Sequence, residues 1–117
     1  MRKTETGEEH CRAEILKLVG DYTTLRIIDF LRDGGLRFTA LQRALGDADS
    51  VTLTKRLKNL EAAGILDRQE ATVDKQSVTY SLSDAGRGLL RVLHEIQNFT
   101  HQLHASSDRQ AAAAGKR

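Results

Sequence analysis

The hydrophobic period of this chain changes from helical to alternating at Gly64, and that change limits the folds open to it. Before Gly64, apolar residues recur at helical spacing: Leu25, Ile28 and Leu31 at i, i+3 and i+6, then Leu53, Leu57 and Leu60 at i, i+4 and i+7. After it, Val78, Tyr80 and Leu82 alternate with Thr79, Ser81 and Ser83, the period of a half-buried strand. Helical spacing then returns in Leu89, Val92, Leu93, Ile96, Phe99 and Leu103. The sequence contains no proline, so its turns fall to Gly, Asp, Asn and Ser.

These signals divide the chain. Residues 1–9 are polar and unpatterned and read as a mobile arm. A short helix over 13–19 is stopped by Gly20, and Asp21 is a plausible N-cap for a second helix that ends at Gly34-Gly35. Thr39 reads as the N-cap of a short helix carrying Leu41, Ala44 and Leu45, which Gly46 stops. After the turn Asp47-Ala48-Asp49, Ser50 reads as the N-cap of a helix over 51–63, with Gly64 as its left-handed C′ residue. Ile65-Leu66 opens a strand, residues 73–77 form a hairpin tip, and Asp84 caps a long helix over 85–104. Residues 105–117 read as a mobile tail, leaving a domain over 10–104. The fold class is α+β, mainly α: a winged helix-turn-helix with flanking N- and C-terminal helices.

Composition narrows the function. A chain of 117 residues is one domain's worth. No apolar run approaches the ~20 residues of a bilayer span, no apolar signal-peptide segment is readable, and a single cysteine makes no intramolecular disulfide, so a cytoplasmic protein without membrane partners is expected. Eighteen basic and sixteen acidic residues leave a net charge of +2, too small to mark a nucleic-acid binder in bulk. Its distribution is more telling, because residues 50–60 hold Lys55, Arg56 and Lys58 and no acid. No phosphate-binding loop, zinc-protease motif or nucleophile elbow is present, so neither an enzyme nor a cofactor is expected.

Several segments carry a family resemblance: Val19-Gly20-Asp21, Phe38-Thr39-Ala40-Leu41, Leu53-Thr54-Lys55-Arg56-Leu57-Lys58-Asn59-Leu60-Glu61, Gly64-Ile65-Leu66, and Val78-Thr79-Tyr80-Ser81-Leu82-Ser83-Asp84-Ala85-Gly86. In this order they resemble the HxlR-type transcription regulators, a branch of the MarR-like winged-helix superfamily, over about three-quarters of the chain. The resemblance implies a homodimeric DNA-binding repressor or activator. It also implies an oxidant- or electrophile-sensing role for a cysteine in the region of Cys11. The sequence departs from the family where Tyr22-Thr23 replace the usual tryptophan after Gly-Asp, and where Arg12 replaces the proline usual after the cysteine. Cys11 also stands one residue nearer Gly20 than is usual.

The residues themselves place the expected contacts. Leu53, Leu57 and Leu60 form the buried side of their helix, which turns Val51, Thr52, Lys55, Lys58 and Asn59 outward. Ser50, Thr52 and Thr54 are short enough to approach base edges or phosphates of double-stranded DNA, and Val51 suits a thymine methyl. Lys55 suits guanine or phosphate, Lys58 adds a second charge, and Asn59 suits adenine. Helix N-terminal amides favour phosphate oxygens as well. Arg68, Lys75 and Gln76 on the wing, with Arg37 and Arg43 near the first helix of the motif, are backbone candidates, and Arg56 reads as a brace or a backbone contact. A 20-residue terminal helix projects from a domain this small, and its surplus apolar surface, with Ile15 and Leu16 of the first helix, suits a two-fold dimer through Val92, Ile96, Phe99 and Leu103.

Cys11 is also a candidate redox residue on chemical grounds, since His10, Arg12 and a helix N-terminus favour thiolate, and a small-molecule or oxidant effector follows from it. His10, His94, His101 and His104 lack the close carboxylate or second cysteine of a convincing metal site, so no metal is expected. The rival to the DNA-binding regulator is a winged-helix protein-interaction module that does not bind DNA.

Overall fold

The computed structural model describes residues 7–70 and 78–115. In chain order the elements are α1 (Gly7–Val19), α2 (Tyr22–Phe30), β1 (Leu36–Arg37), α3 (Phe38–Ala44), α4 (Ser50–Ala62), β2 (Leu66–Glu70), β3 (Val78–Leu82) and α5 (Asp84–Gly115). The three strands form an antiparallel sheet in the order β1-β3-β2, with Leu36 opposite Tyr80 and Leu66 opposite Leu82. This is the winged helix-turn-helix that the period change at Gly64 anticipates.

The apolar stripes become one core. Ile27, Ile28, Leu31, Leu41, Leu53, Leu57 and Leu60 are all buried at 1% exposure or less, and Val19, Ile65, Leu66, Tyr80, Leu82 and Leu93 complete the cluster. Leu53, Leu57 and Leu60 are therefore the floor of α4, as their spacing requires. Gly64 sits at φ 81°, in the left-handed region that suits a residue just past a helix, and its N–H donates to the Glu61 carbonyl at 3.0 Å. Gly86, in the first turn of α5, has a different reason: a Cβ there would lie 2.1 Å from the Ile65 carbonyl oxygen. Only glycine lets α5 pass this close to the start of the sheet.

Several boundaries differ from the sequence expectation. Helix α1 starts at Gly7, so residues 7–9, assigned to a mobile arm, are helical; Glu8 and Glu9 in its first turn complement the helix dipole. Helix α5 continues to Gly115, through alanine-rich sequence of high helix propensity that was assigned to a tail. Strand β1 was missed, since two residues carry no period and become a strand only by pairing with β3. Its presence also makes Arg37, not Thr39, the N-cap of α3, with no side-chain capping bond. At α5, Ser83 rather than Asp84 caps: its Oγ accepts the Gly86 N–H at 3.0 Å and donates to the Gly64 carbonyl at 2.6 Å.

Candidate nucleic-acid interface

Three devices hold α4. The first is its N-cap, which is Asp49 and not Ser50: Asp49 Oδ2 accepts the Thr52 N–H at 2.9 Å and the Thr52 hydroxyl at 3.0 Å. The second is Gln42 of α3, which clamps the turn. Its carbonyl accepts the Asp47 N–H at 2.9 Å and its side-chain amide donates to the Ala48 carbonyl at 2.9 Å, while Asp47 takes φ 58°. The third is Arg56, whose guanidinium binds the carboxylate of Asp21, the N-cap of α2. Arg56 thus braces the domain, the first of the two roles open to it from sequence. Its Nε is buried and has no acceptor among the described residues.

Asp21 and Asp49 use one local pattern, Asp-x-x-Thr, in which the threonine supplies both its N–H and its hydroxyl to the same carboxylate oxygen. That repeat was the signal in the sequence for Asp49, and it was overlooked in favour of Ser50. Both carboxyls are held below the ordinary value of about 4. For Asp21, burial pushes the carboxyl up and is outweighed by the two Thr24 hydrogen bonds and the Arg56 charge. For Asp49, the two Thr52 hydrogen bonds dominate. A depressed folded value means stability that is complete above the unfolded pKa and lost as pH falls through the folded one. Thermal melts followed by circular dichroism should therefore give a constant midpoint from pH 7 to 5 and a falling one below about pH 4, and Asp21→Asn should remove part of that fall. An equal acid slope in the variant would show that the Asp21 contacts contribute nothing.

The outer face of α4 gathers most of the expected contact residues. Ser50, Val51, Thr52, Lys55, Lys58 and Asn59 are exposed, Val51 at 75%, whereas Thr54 is half-buried against the domain. A groove of about 450 Å³ is lined by Val51, Thr52, Lys55, Arg56 and Asn59, and Lys58 lies exposed beside it. The helix N-terminal amides, expected to receive a phosphate, already face the Asp49 carboxylate. Arg37 and Arg43 are exposed at the two ends of α3. Arg68 on β2 is tied to the sheet: its guanidinium lies 2.8 Å from Glu70, and hydrogen bonds to Glu70 and Tyr80 hold its proton more firmly than usual. Lys75 and Gln76 lie outside the described residues.

Away from α4, the apolar residues assigned to an interface are exposed on α1 and α5: Leu16, Val92, Ile96, Phe99 and Leu103, with Ile15 half-buried. Cys11 is exposed on α1. His10, His94 and His101 are exposed, and His104 lies 3.3 Å from Asp108 one turn along α5. Among the described residues no group of three His, Cys, Asp or Glu side chains is placed to hold a metal, and no helix is long and apolar enough to cross a membrane.

With this geometry in view, the profile of the HxlR-like helix-turn-helix family matches residues 18–108. The chain belongs to the HxlR-like family. Like its relatives, this HxlR-like chain is a transcriptional regulator of the helix-turn-helix type, a class of DNA-binding regulators rather than enzymes. An HTH-type transcriptional regulator of Halalkalibacterium halodurans is 38% identical over 82 residues, 69% of this chain and 73% of the relative. The HTH-type transcriptional regulator YodB of Bacillus subtilis is 32% identical over 82 residues, 70% of this chain and 73% of its own. The crystal structure of quinone-bound YodB matches with a TM-score of 0.67 at 30% identity, covering 78% of this chain and 96% of YodB. The redox regulator HypR in its oxidized form matches with a TM-score of 0.67 at 26% identity, covering 77% of this chain and 93% of HypR.

Proposed function

We propose that this HxlR-like chain is a sequence-specific DNA-binding regulator that acts as a homodimer on a pseudo-palindromic operator, with α4 in the major groove. The observation that carries the proposal is the outer face of α4, where Val51, Thr52, Lys55, Lys58 and Asn59 stand exposed with no acidic side chain between Ser50 and Leu60. A protein-interaction module has no need of such a face. Arg37 and Arg43, exposed at the two ends of α3, extend the basic surface towards the phosphate backbone.

Helix α5 supports the dimer reading. At 32 residues this helix is roughly 48 Å long, and the radius of gyration is 18.6 Å against roughly 13 Å for a compact chain of this length. Its outer part carries Phe99 and Leu103, 64% and 56% exposed, and apolar side chains on one face of a projecting helix are best covered by a symmetric copy. Two copies of α4 related by a two-fold axis read half-sites about one helical turn apart.

The test is a salt series of binding to the DNA upstream of the protein's own gene beside scrambled DNA. Preference for the upstream fragment of at least ~1,000-fold is expected of a specific regulator. Weak binding, equal on both DNAs, would favour the protein-interaction module.

Cys11 makes redox or electrophile sensing part of the proposal. The thiol is exposed, and solved relatives include quinone-bound YodB and oxidized HypR. Cys11→Ser is expected to leave DNA affinity unchanged under reducing conditions and to abolish its response to diamide or a quinone, read by fluorescence anisotropy. A response of wild-type size in Cys11→Ser would exclude this thiol, the only one in the chain, as the sensor.

A further inference from the structure

We infer that Thr52 reads one operator base pair as an acceptor only, selecting an amino base (adenine or cytosine) over a keto base (guanine or thymine) on the strand it faces. The inference deepens the DNA-binding proposal above and rests on it.

A threonine hydroxyl is ordinarily ambivalent. It rotates to donate or to accept, and so meets any base edge without discriminating. Thr52 lacks that freedom. Its Oγ1 lies 3.0 Å from Asp49 Oδ2, the oxygen that also accepts the Thr52 N–H at 2.9 Å. An ionised carboxylate has no proton to offer, so the hydroxyl is the donor of this pair. The same two hydrogen bonds keep Asp49 ionised across the whole neutral range. What Oγ1 has left for a third partner is lone pairs.

The position of Thr52 makes this matter. Its side chain is exposed in the first turn of α4 and lines the same groove as Val51, Lys55 and Asn59. In the major groove, adenine N6 and cytosine N4 carry protons, whereas guanine O6 and thymine O4 carry lone pairs. An acceptor-only oxygen binds the first pair and repels the second. Exchanging the strands of the base pair brings the keto group to the same place, so the choice is binary and strand-specific. Lys55, three residues on, is a donor only and has the opposite preference, so neighbouring positions of the half-site are told apart by two residues of opposite hydrogen-bonding character.

Asp49 is then a positioning residue for specificity as well as a cap. It sits at the end of the helix that approaches a polyanion, where its charge opposes binding, and in return it removes the ambiguity of Thr52.

The experiment is selection of bound duplexes from a library randomised across the half-site, with full-length wild type, Thr52→Val and Asp49→Ala compared by sequencing. Thr52→Val is near-isosteric and keeps the backbone N–H bond to Asp49, so it tests the hydroxyl without removing the cap. Wild type is expected to enrich adenine or cytosine at least about five-fold at one position, the lower end of a specific base contact. Thr52→Val should flatten that position to within about two-fold and leave the others intact, while Asp49→Ala should admit guanine and thymine there, since a freed hydroxyl serves either edge. An unchanged profile in Thr52→Val, a flattened position that favoured keto bases in wild type, or an Asp49→Ala profile identical to wild type would each overturn the inference. Failure of wild type to enrich any sequence would instead overturn the DNA-binding proposal beneath it.

Discussion

The Lys55→Ala/Lys58→Ala double variant is expected to lose the preference for operator over scrambled DNA while keeping its fold. Both lysines are exposed on α4 and take no part in the core beneath Leu53, Leu57 and Leu60, so their removal should change folding stability by no more than about 0.5 kcal/mol. On DNA the loss is larger. A lysine that reads a base contributes roughly 1–3 kcal/mol of discrimination, five-fold to over a hundred-fold, and a lysine on phosphate contributes about one unit of salt slope. The single variants separate these roles. The one that lowers affinity for operator alone touches a base, and the one that weakens both DNAs and flattens the salt dependence touches phosphate. Fluorescence anisotropy between roughly 50 and 200 mM salt resolves either case. Wild-type affinity and slope in the double variant would move the reading surface off α4.

Phe99→Asp, alone or with Leu103→Asp, is expected to convert the protein from a dimer to a monomer of 13.0 kDa in light scattering. In the single chain these side chains face outward, so a charge there costs the monomer little. In a two-fold interface each substitution appears twice and buries two like charges near the axis, which is prohibitive without partners. Operator binding should fall with dimerisation, because a monomer engages one half-site and loses the gain of simultaneous attachment. A variant that remains dimeric would place the interface elsewhere on the chain, and a variant that unfolds would show that α5 packs on its own domain through this face. Val92 and Ile96, less exposed and nearer the domain, provide the next substitutions in the series.

Much of this molecule was legible without coordinates. Leu53, Leu57 and Leu60 announced the buried side of α4 because one helix face against a core admits few other spacings, and the outward positions of Lys55, Lys58 and Asn59 followed from the same geometry. Gly64 announced its helix end because a left-handed residue is chemically distinctive. The capping of α4 was harder. Ser50 and Asp49 are both good caps, and the decision between them depends on which backbone φ and ψ the Gln42-clamped turn imposes. Strand β1 was not legible at all, since Leu36 and Arg37 acquire strand character only from Tyr80 and Thr79 across the sheet.

The division has a physical basis. Period, charge placement and turn chemistry are properties of neighbours along the chain, and they determined the order of the helices and of the hairpin strands, the buried face of α4 and the basic, acid-free stretch from Ser50 to Leu60. The tertiary structure decided what depends on residues far apart in sequence: the Asp21–Arg56 brace across 35 residues, the close passage of Gly86 over Ile65, and the hydrogen bond of Arg68 to Tyr80 across the sheet. The local Asp-x-x-Thr pattern, seated by the turn that Gln42 clamps, commits the hydroxyl of Thr52 to Asp49. Side-chain chemistry sets what a residue is able to bind, but only the folded arrangement sets which of its donors and acceptors remain free.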